Sequence, residues 1–230
     1  MALESIALIP SGVKATKVYS QLPVNGNGDF TFDRGTSTTQ TRVNKNGLIE
    51  DVAQDVPRLD YLDGGCPSLL LEPATTNLLT YSEEFDNVAW VKSNTTISAN
   101  AVISPKGDLT ADELVVTSAS LGDAQQAITI ADDSNTYVGS VYVKKSTTDK
   151  FSYAYLRFLG GTSSIIYGIN FNQKDGTFLD IDDTGFSGSS QPCSVIGIED
   201  FSDNYWRIYF GGANNSTGNT NLRLYISLRS

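Results

Sequence analysis

Along the second half of the chain apolar and polar positions alternate in short runs, and Gly, Asn and Asp separate one run from the next. Asp112 to Val116, Gln125 to Ile130, Tyr137 to Lys144, Phe151 to Phe158, Ile165 to Phe171, Thr177 to Ile181, Val195 to Glu199, Trp206 to Phe210 and Leu222 to Leu228 each read as a strand. The separators include Asp132-Asp133-Ser134-Asn135, Gly160-Gly161, Lys174-Asp175-Gly176 and the stretch from Asn214 to Gly218, all of them turn chemistry. Helical periods long enough for βαβ units are missing. The pattern therefore predicts an all-β fold, an antiparallel sandwich or barrel.

Period-two alternation also assigns faces. In the last run Leu222, Leu224, Ile226 and Leu228 fall on one side and Arg223, Tyr225 and Ser227 on the other. Trp206, Ile208 and Phe210 oppose Arg207 and Tyr209, and the run from Phe151 places Tyr153, Tyr155 and Arg157 together. The apolar sets, Trp206 included, are expected to form the core. If the three strands share a sheet, its second face holds Tyr153, Tyr155, Arg157, Arg207, Tyr209, Arg223 and Tyr225. Aromatic rings stack on the C–H faces of sugars, and guanidinium groups donate to hydroxyls or carboxylates. The same residue types are enriched where protomers meet, so a carbohydrate site, a subunit interface and plain sheet surface all stay open.

The first half is punctuated more densely. Ile6 to Ile9 ends at Pro10-Ser11-Gly12, Lys17 to Leu22 ends at Pro23, and Asn25-Gly26-Asn27-Gly28-Asp29 is a strong turn cluster. Phe30 and Phe32 share one face of a strand, Thr36 to Thr41 reads as a polar loop, and Asn44-Lys45-Asn46-Gly47 turns into Leu48-Ile49. From Pro57 to Asn77 the expectation is an extended segment over Arg58 to Tyr61, a turn at Asp63-Gly64-Gly65, and a buried central strand over Ser68 to Glu72. This block divides a strand-rich stretch, residues 1–75, an arm for attachment or oligomerisation or simply extra strands of the sandwich, from a sandwich over residues 76–230. Beyond it, Ser82-Glu83-Glu84-Phe85 is the one place where a helical turn is expected, and a strand should begin at Trp90-Val91.

Several of these stretches carry a resemblance. Phe30 to Arg34, Arg42-Val43-Asn44, Gly47 to Glu50, the block from Pro57 to Asn77, Asn77 to Phe85 and Trp90 resemble a structural module of tailed-phage virion proteins. The likeness continues through Ser104-Pro105-Lys106-Gly107, Thr110-Ala111-Asp112, Tyr137 to Lys144 and Tyr205 to Ile208. The second half is also similar to carbohydrate-binding modules of the jelly-roll type. The resemblance implies a jelly-roll or concanavalin-like β-sandwich in a tail-fibre, head-fibre or spike component, sometimes lectin-like. It further implies a homo-oligomer among other virion proteins, assembled in the host cytoplasm and extracellular after release, with host-surface polysaccharide as a ligand. None of these motifs is catalytic. The competing expectation is a polysaccharide-degrading enzyme or its sugar-binding appendage.

Composition narrows the chemistry further. The 230 residues carry a net charge of −10, which opposes nonspecific binding to nucleic acid or to an anionic membrane. No apolar run approaches the roughly 20 residues of a membrane span. The chain has no histidine, which removes Ser-His-Asp and Cys-His catalysis and His-containing zinc sites as usually built. Its two cysteines, Cys66 and Cys193, could pair if neighbouring strands bring them together, but buried free thiols are the expectation. Glu83 and Glu84 are adjacent, so they point in different directions and do not form a glycosidase pair. No cofactor is expected; Asp180, Asp182 and Asp183 could contribute to a structural calcium site or simply form an exposed acidic hairpin.

Overall fold

The computed structural model describes residues 11–14, 17–20, 40–62, 66–71, 75–118, 121–182 and 189–228. The chain divides into two compact units, Met1–Ala74 and Thr75–Ser230. Among the described residues there is no α-helix, and every named strand pair is antiparallel. The all-β expectation holds. Ile6 to Ile9, the cluster at 25–29, Phe30, Phe32, the turn at 63–65 and Asp183 lie outside the described residues.

The described strands of the first unit pair as short antiparallel ladders: β1 (Ser11–Lys14) with β2 (Lys17–Ser20), β3 (Gln40–Val43) with β4 (Ile49–Val52), and β5 (Leu59–Asp60) with β6 (Ser68–Leu69). Gln40 and Thr41, expected in a loop, begin β3. The turn between β3 and β4 is tied by Asn44, whose side-chain oxygen accepts from the N–H groups of Asn46 (2.9 Å) and Leu48 (3.2 Å). Gly47 takes the left-handed φ of +76° there. The expected central strand at Ser68 to Glu72 does not form. Only Ser68 and Leu69 pair, with Asp60 and Leu59 of an equally short partner, and Leu71 is 67% exposed.

The second unit holds β7 (Val91–Ser93), β8 (Thr95–Val102), β9 (Ala111–Val116), β10 (Gly122–Thr129), β11 (Thr136–Lys144), β12 (Phe151–Leu159), β13 (Ile165–Asn172), β14 (Phe178–Asp180), β15 (Val195–Ser202), β16 (Tyr205–Ala213) and β17 (Asn221–Leu228). All nine runs expected from Asp112 onward are strands. Six of the strands form one sheet in the order β14-β13-β12-β17-β10-β7, three form another in the order β11-β16-β15, and β8 pairs with β9. β8 was not expected, since Thr95 to Asn100 holds few apolar residues; its ladder with β9 shifts register between Ser98 and Val102. The shift leaves Asn100 at a positive φ of 52°.

The six- and three-stranded sheets share one core. Ala154, Leu156 and Phe158 of β12, Ile165 and Ile169 of β13, and Leu222, Leu224 and Ile226 of β17 meet Ile208 and Phe210 of β16. Each such side chain, fully buried, contributes about 1.5–3 kcal/mol. The unit is thus sandwich-like, with inward residues set by the alternation visible in the sequence. Gln126 breaks that alternation: it points inward from β10, yet its amide accepts from Thr80 N–H (2.9 Å) and donates to the Thr80 carbonyl (2.8 Å). A buried amide satisfied in this way costs little and anchors the segment that enters the unit.

Two local expectations change. Residues 81–90 form three consecutive turns, closed by bonds from Glu84 to Tyr81, Asn87 to Glu84 and Trp90 to Asn87, in place of a helical turn. They seat Trp90 fully inside, its ring 4.6 Å from Phe85 and its Nε1 donating to the Tyr81 carbonyl. Trp206, expected in the core, is only half-buried at the core's margin. Its Nε1 donates to the Gln173 carbonyl (2.9 Å), its ring lies over Gly176, and Lys145 Nζ sits 4.2 Å from the ring centroid.

Candidate functional site

The seven Tyr and Arg positions do not form one face. β12 and β17 are neighbours in the six-stranded sheet, whereas β16 lies in the three-stranded sheet. Tyr153, Tyr155, Arg157, Arg223 and Tyr225 therefore share the outer face of one layer, and Arg207 and Tyr209 lie on the outer face of the other. The separation follows from Ile208, Phe210, Leu222 and Leu224 all pointing into the same core from opposite sides.

On the three-stranded sheet, Arg207 contacts Glu199 at 3.5 Å and lies 5.9 Å from the ring of Tyr142, which packs edge-on against Phe201 at 4.8 Å. Tyr209 lies over Gly197, where a Cβ would fall 2.5 Å from the phenol oxygen. Arg207 thus has a carboxylate partner, although its Nε is buried without a hydrogen bond. The arrangement is that of a half-exposed sheet surface.

The outer face of the six-stranded sheet is built differently, and the registers order it in three rows. One row runs Ala127, Arg223, Arg157, Ile166. The next runs Gln125, Tyr225, Tyr155, Gly168. The third runs Asp123, Ser227, Tyr153, Asn170. Successive rows are two residues apart along each strand, about 7 Å, so along the strands the arginine row stands about 13 Å from the row of Asp123 and Asn170.

In the middle row Tyr155 and Tyr225 stack in parallel, centroids 4.4 Å apart and planes within 8°. Gly168 permits this: a Cβ there would fall 2.5 Å from that of Tyr155. Burial raises the Tyr155 phenol well above its ordinary value, with Tyr225 and Asp123 adding to the shift, and the Ser227 hydroxyl is hydrogen-bonded to it. Tyr155 is half-buried, but Tyr153 and Tyr225 are only 8% exposed, with Tyr153 packed against Ile166 and Ile181. Tyr225, placed by alternation opposite the core set, is thus buried within that second face.

The two arginines stand directly opposite each other across the β12–β17 ladder. Arg223 Nε donates to Asn221 (3.1 Å) and its Nη1 to Gln125 (3.4 Å). Neither guanidinium has a carboxylate partner among the described residues, and Arg157 Nε is buried with no hydrogen-bond partner. In the third row Asp123 Oδ1 and Asn170 Oδ1 are likewise buried without partners, and burial raises the Asp123 carboxyl above the usual range. Three buried polar atoms on one face thus lack hydrogen bonds, where native interiors satisfy nearly all. Sequence alternation alone did not point to Asp123, Gln125 or Asn170, since strand pairing brings them beside the tyrosines and Gln126 obscures the period of β10.

No described group of three or more His, Cys, Asp or Glu residues could hold a metal ion. Asp180 is engaged with the backbone, accepting from the N–H groups of Cys193 (2.7 Å) and Asp182 (3.2 Å). Both cysteines are free thiols, but against the expectation of burial Cys66 is exposed and Cys193 only half-buried.

The fold and this face define an all-β chain whose second unit carries a mixed aromatic and cationic sheet surface. No family model matches the chain, and no curated protein matches it.

Proposed function

We propose that the chain is a non-enzymatic structural module of a tailed-phage fibre or spike, and that the outer face of its six-stranded sheet binds host-surface carbohydrate. The observation that carries the carbohydrate reading is the stacked Tyr155–Tyr225 pair, flanked on one side by two arginines and on the other by two buried acceptors, which among the described residues have no carboxylate partner and no hydrogen-bond partner respectively. Sugars offer what such a face lacks: C–H surface beside the rings, hydroxyls that donate to Asp123 and Asn170, and oxygens that accept from arginine. The virion setting and the homo-oligomeric state rest on the sequence resemblance. A jelly-roll winding suits this reading, supported by β17 running between β10 and β12 and by β16 running between β11 and β15.

A non-catalytic role is favoured over glycan cleavage by the charges on the face. Glycoside hydrolysis ordinarily needs two carboxyl groups about 5 to 10 Å apart. The three rows carry one, Asp123.

The test is retention of the full chain on an array of bacterial surface polysaccharides, with reducing ends assayed in parallel. Binding without release of reducing ends is expected, and Tyr155→Ala should weaken it at least tenfold, about 1.4 kcal/mol. Absence of retention on every polysaccharide overturns the carbohydrate reading, and release of reducing ends overturns the non-enzymatic one. Particles purified from cells carrying the gene should contain the chain; its absence from them refutes the virion assignment.

A further inference from the structure

The arginine pair has a chemistry of its own. Cross-strand neighbours of like charge are destabilising, and here two guanidinium groups face each other on a chain with ten more acidic than basic residues. Four other cations of this unit pair with carboxylates, Lys145 with Asp200 (2.6 Å), Lys174 with Asp149 (3.1 Å), Lys106 with Glu83 (3.0 Å) and Arg207 with Glu199 (3.5 Å), while Lys92 bonds to the Asp86 and Asn87 carbonyls. Arg157 and Arg223 have none among the described residues, and the nearest polar contacts of Arg223 are neutral amides.

We infer that the outer face of the six-stranded sheet takes a carboxylated saccharide, a hexuronate or a sialate, with the carboxylate held between Arg157 and Arg223 and the sugar lying toward Tyr155. This deepens the carbohydrate reading and rests on it. Three features of the face fit such a ligand together. Guanidinium groups bind carboxylates through parallel charge-assisted hydrogen bonds, which accounts for arginine at both positions where lysine would supply only charge. The Tyr row lies about 7 Å from the arginines, one strand repeat away, within reach of the ring that bears the carboxylate. Asp123, two rows and about 13 Å along the strands from the arginines, repels an anion and accepts hydroxyls, so the ligand's polarity along the strands is set: carboxylate toward Arg157, neutral hydroxyls toward Asp123.

The net charge of −10 does not forbid this. At physiological ionic strength the Debye length is about 8 Å, so diffuse repulsion is screened while a direct guanidinium–carboxylate contact is not. A carboxylate from a protein partner would satisfy the same two arginines, but it would leave the tyrosine row and the acceptors of Asp123 and Asn170 without a role.

The test uses the full chain with two acidic probes, an α-1,4-linked galacturonate hexamer and an α-2,8-linked sialate tetramer, and the carboxyl-reduced form of each. Binding is measured by calorimetry at physiological salt. The inference expects at least one acidic probe to bind about tenfold or more tighter than its reduced form, and Arg157→Gln or Arg223→Gln to abolish that preference, weakening the acidic probe far more than the reduced form. Arg157→Lys should restore only part of the preference. Equal binding of acidic and reduced probes overturns the inference and leaves the carbohydrate reading standing; binding of neither overturns both. Loss of oligomer in the Gln variants, with no probe bound by the parent, assigns the pair to a protein carboxylate and also overturns it. Melting temperature serves as the folding control, and removing one of two opposed charges is expected to leave it unchanged or raise it.

Discussion

Replacing Trp206 tests how the core ends at its margin. A fully buried aromatic costs about 3 to 5 kcal/mol on truncation to alanine. Phe158 meets that description: it is fully buried, with edge contacts to Tyr137 at 5.7 Å and Tyr167 at 6.0 Å, so Phe158→Ala belongs near the top of the range. Trp206 is half-buried. Its truncation forfeits part of the transfer free energy, about 1 kcal/mol for the bond to the Gln173 carbonyl, and about 0.5 kcal/mol for the contact with Lys145. The sum places Trp206→Ala near 3 kcal/mol and Trp206→Phe, which keeps a ring and loses the indole N–H, near 1 kcal/mol. The assay is equilibrium urea unfolding followed by tryptophan emission. Both tryptophans, Trp90 and Trp206, belong to the second unit, so the signal reports that unit even if the two units unfold separately. Gly176 supplies an internal check. An alanine there would adopt a left-handed φ near +72° and place its Cβ 3.0 Å from the indole, so Gly176→Ala should cost less in the Trp206→Ala background than alone. The reasoning is refuted if Trp206→Ala costs as much as Phe158→Ala, or if the Gly176 effect is the same in both backgrounds.

Three further outcomes follow from the second unit's polar groups. Because burial raises the Asp123 carboxyl, the folded chain holds more protons than the unfolded chain between the ordinary aspartate value and the raised one, so stability falls as pH rises through that window. Asp123→Asn should therefore raise the melting temperature near neutral pH and leave it unchanged near about pH 3, and equal gains at both would refute this. Asn219, fully buried, donates to the Ser163 carbonyl (2.8 Å) and to Asn215 (2.8 Å) and accepts from Gly161 N–H (3.0 Å). Asn219→Ala strands these partners and should cost about 3 kcal/mol in urea unfolding; a loss below about 1 kcal/mol would contradict the accounting. Cys66 is exposed, whereas burial, aided by the Asp180 carboxylate, pushes the Cys193 thiol up to about 12. Ellman's reagent at about pH 8 should then titrate one thiol quickly and the second only in denaturant, and two fast thiols would refute the difference.

What the sequence made legible was local. From Ala111 onward strand and turn chemistry agree, and every expected run is a strand because Val, Ile, Tyr and Phe alternate between clear turn residues. β8 escaped because Thr95 to Asn100 is polar and is held by pairing with β9 rather than by its own pattern. The central strand expected at Ser68 to Glu72 failed for the converse reason: Leu69, Leu70 and Leu71 satisfy composition but have no neighbour of sufficient length. The candidate face shows the same limit. Alternation places Tyr155 and Arg157 opposite the core correctly, but cannot say that β12 pairs with β17 while β16 faces them from the other sheet, since those pairings join residues far apart in the chain.

The contrast between two polar regions of the second unit bears on why the face is built as it is. In the loop from Asn214 to Asn219, buried amides are bonded on every side: Asn214 reaches the Asn219 carbonyl (2.9 Å) and Asn219 reaches Ser163, Asn215 and Gly161. Those residues lock three turns together, and their types follow from the need to satisfy backbone groups where strands end. On the outer face of the six-stranded sheet, arginine faces arginine and buried atoms of Arg157, Asp123 and Asn170 have no partner. A surface composed only for stability would hold an opposite-charge pair at Arg157 and Arg223, or a β-branched pair, each favourable by a few tenths to about 1 kcal/mol over the arrangement present. The face forgoes that gain beside a stacked tyrosine pair that is itself well packed. Local destabilisation next to good packing is where binding function concentrates, because groups left unsatisfied in the free chain are the ones a ligand can satisfy.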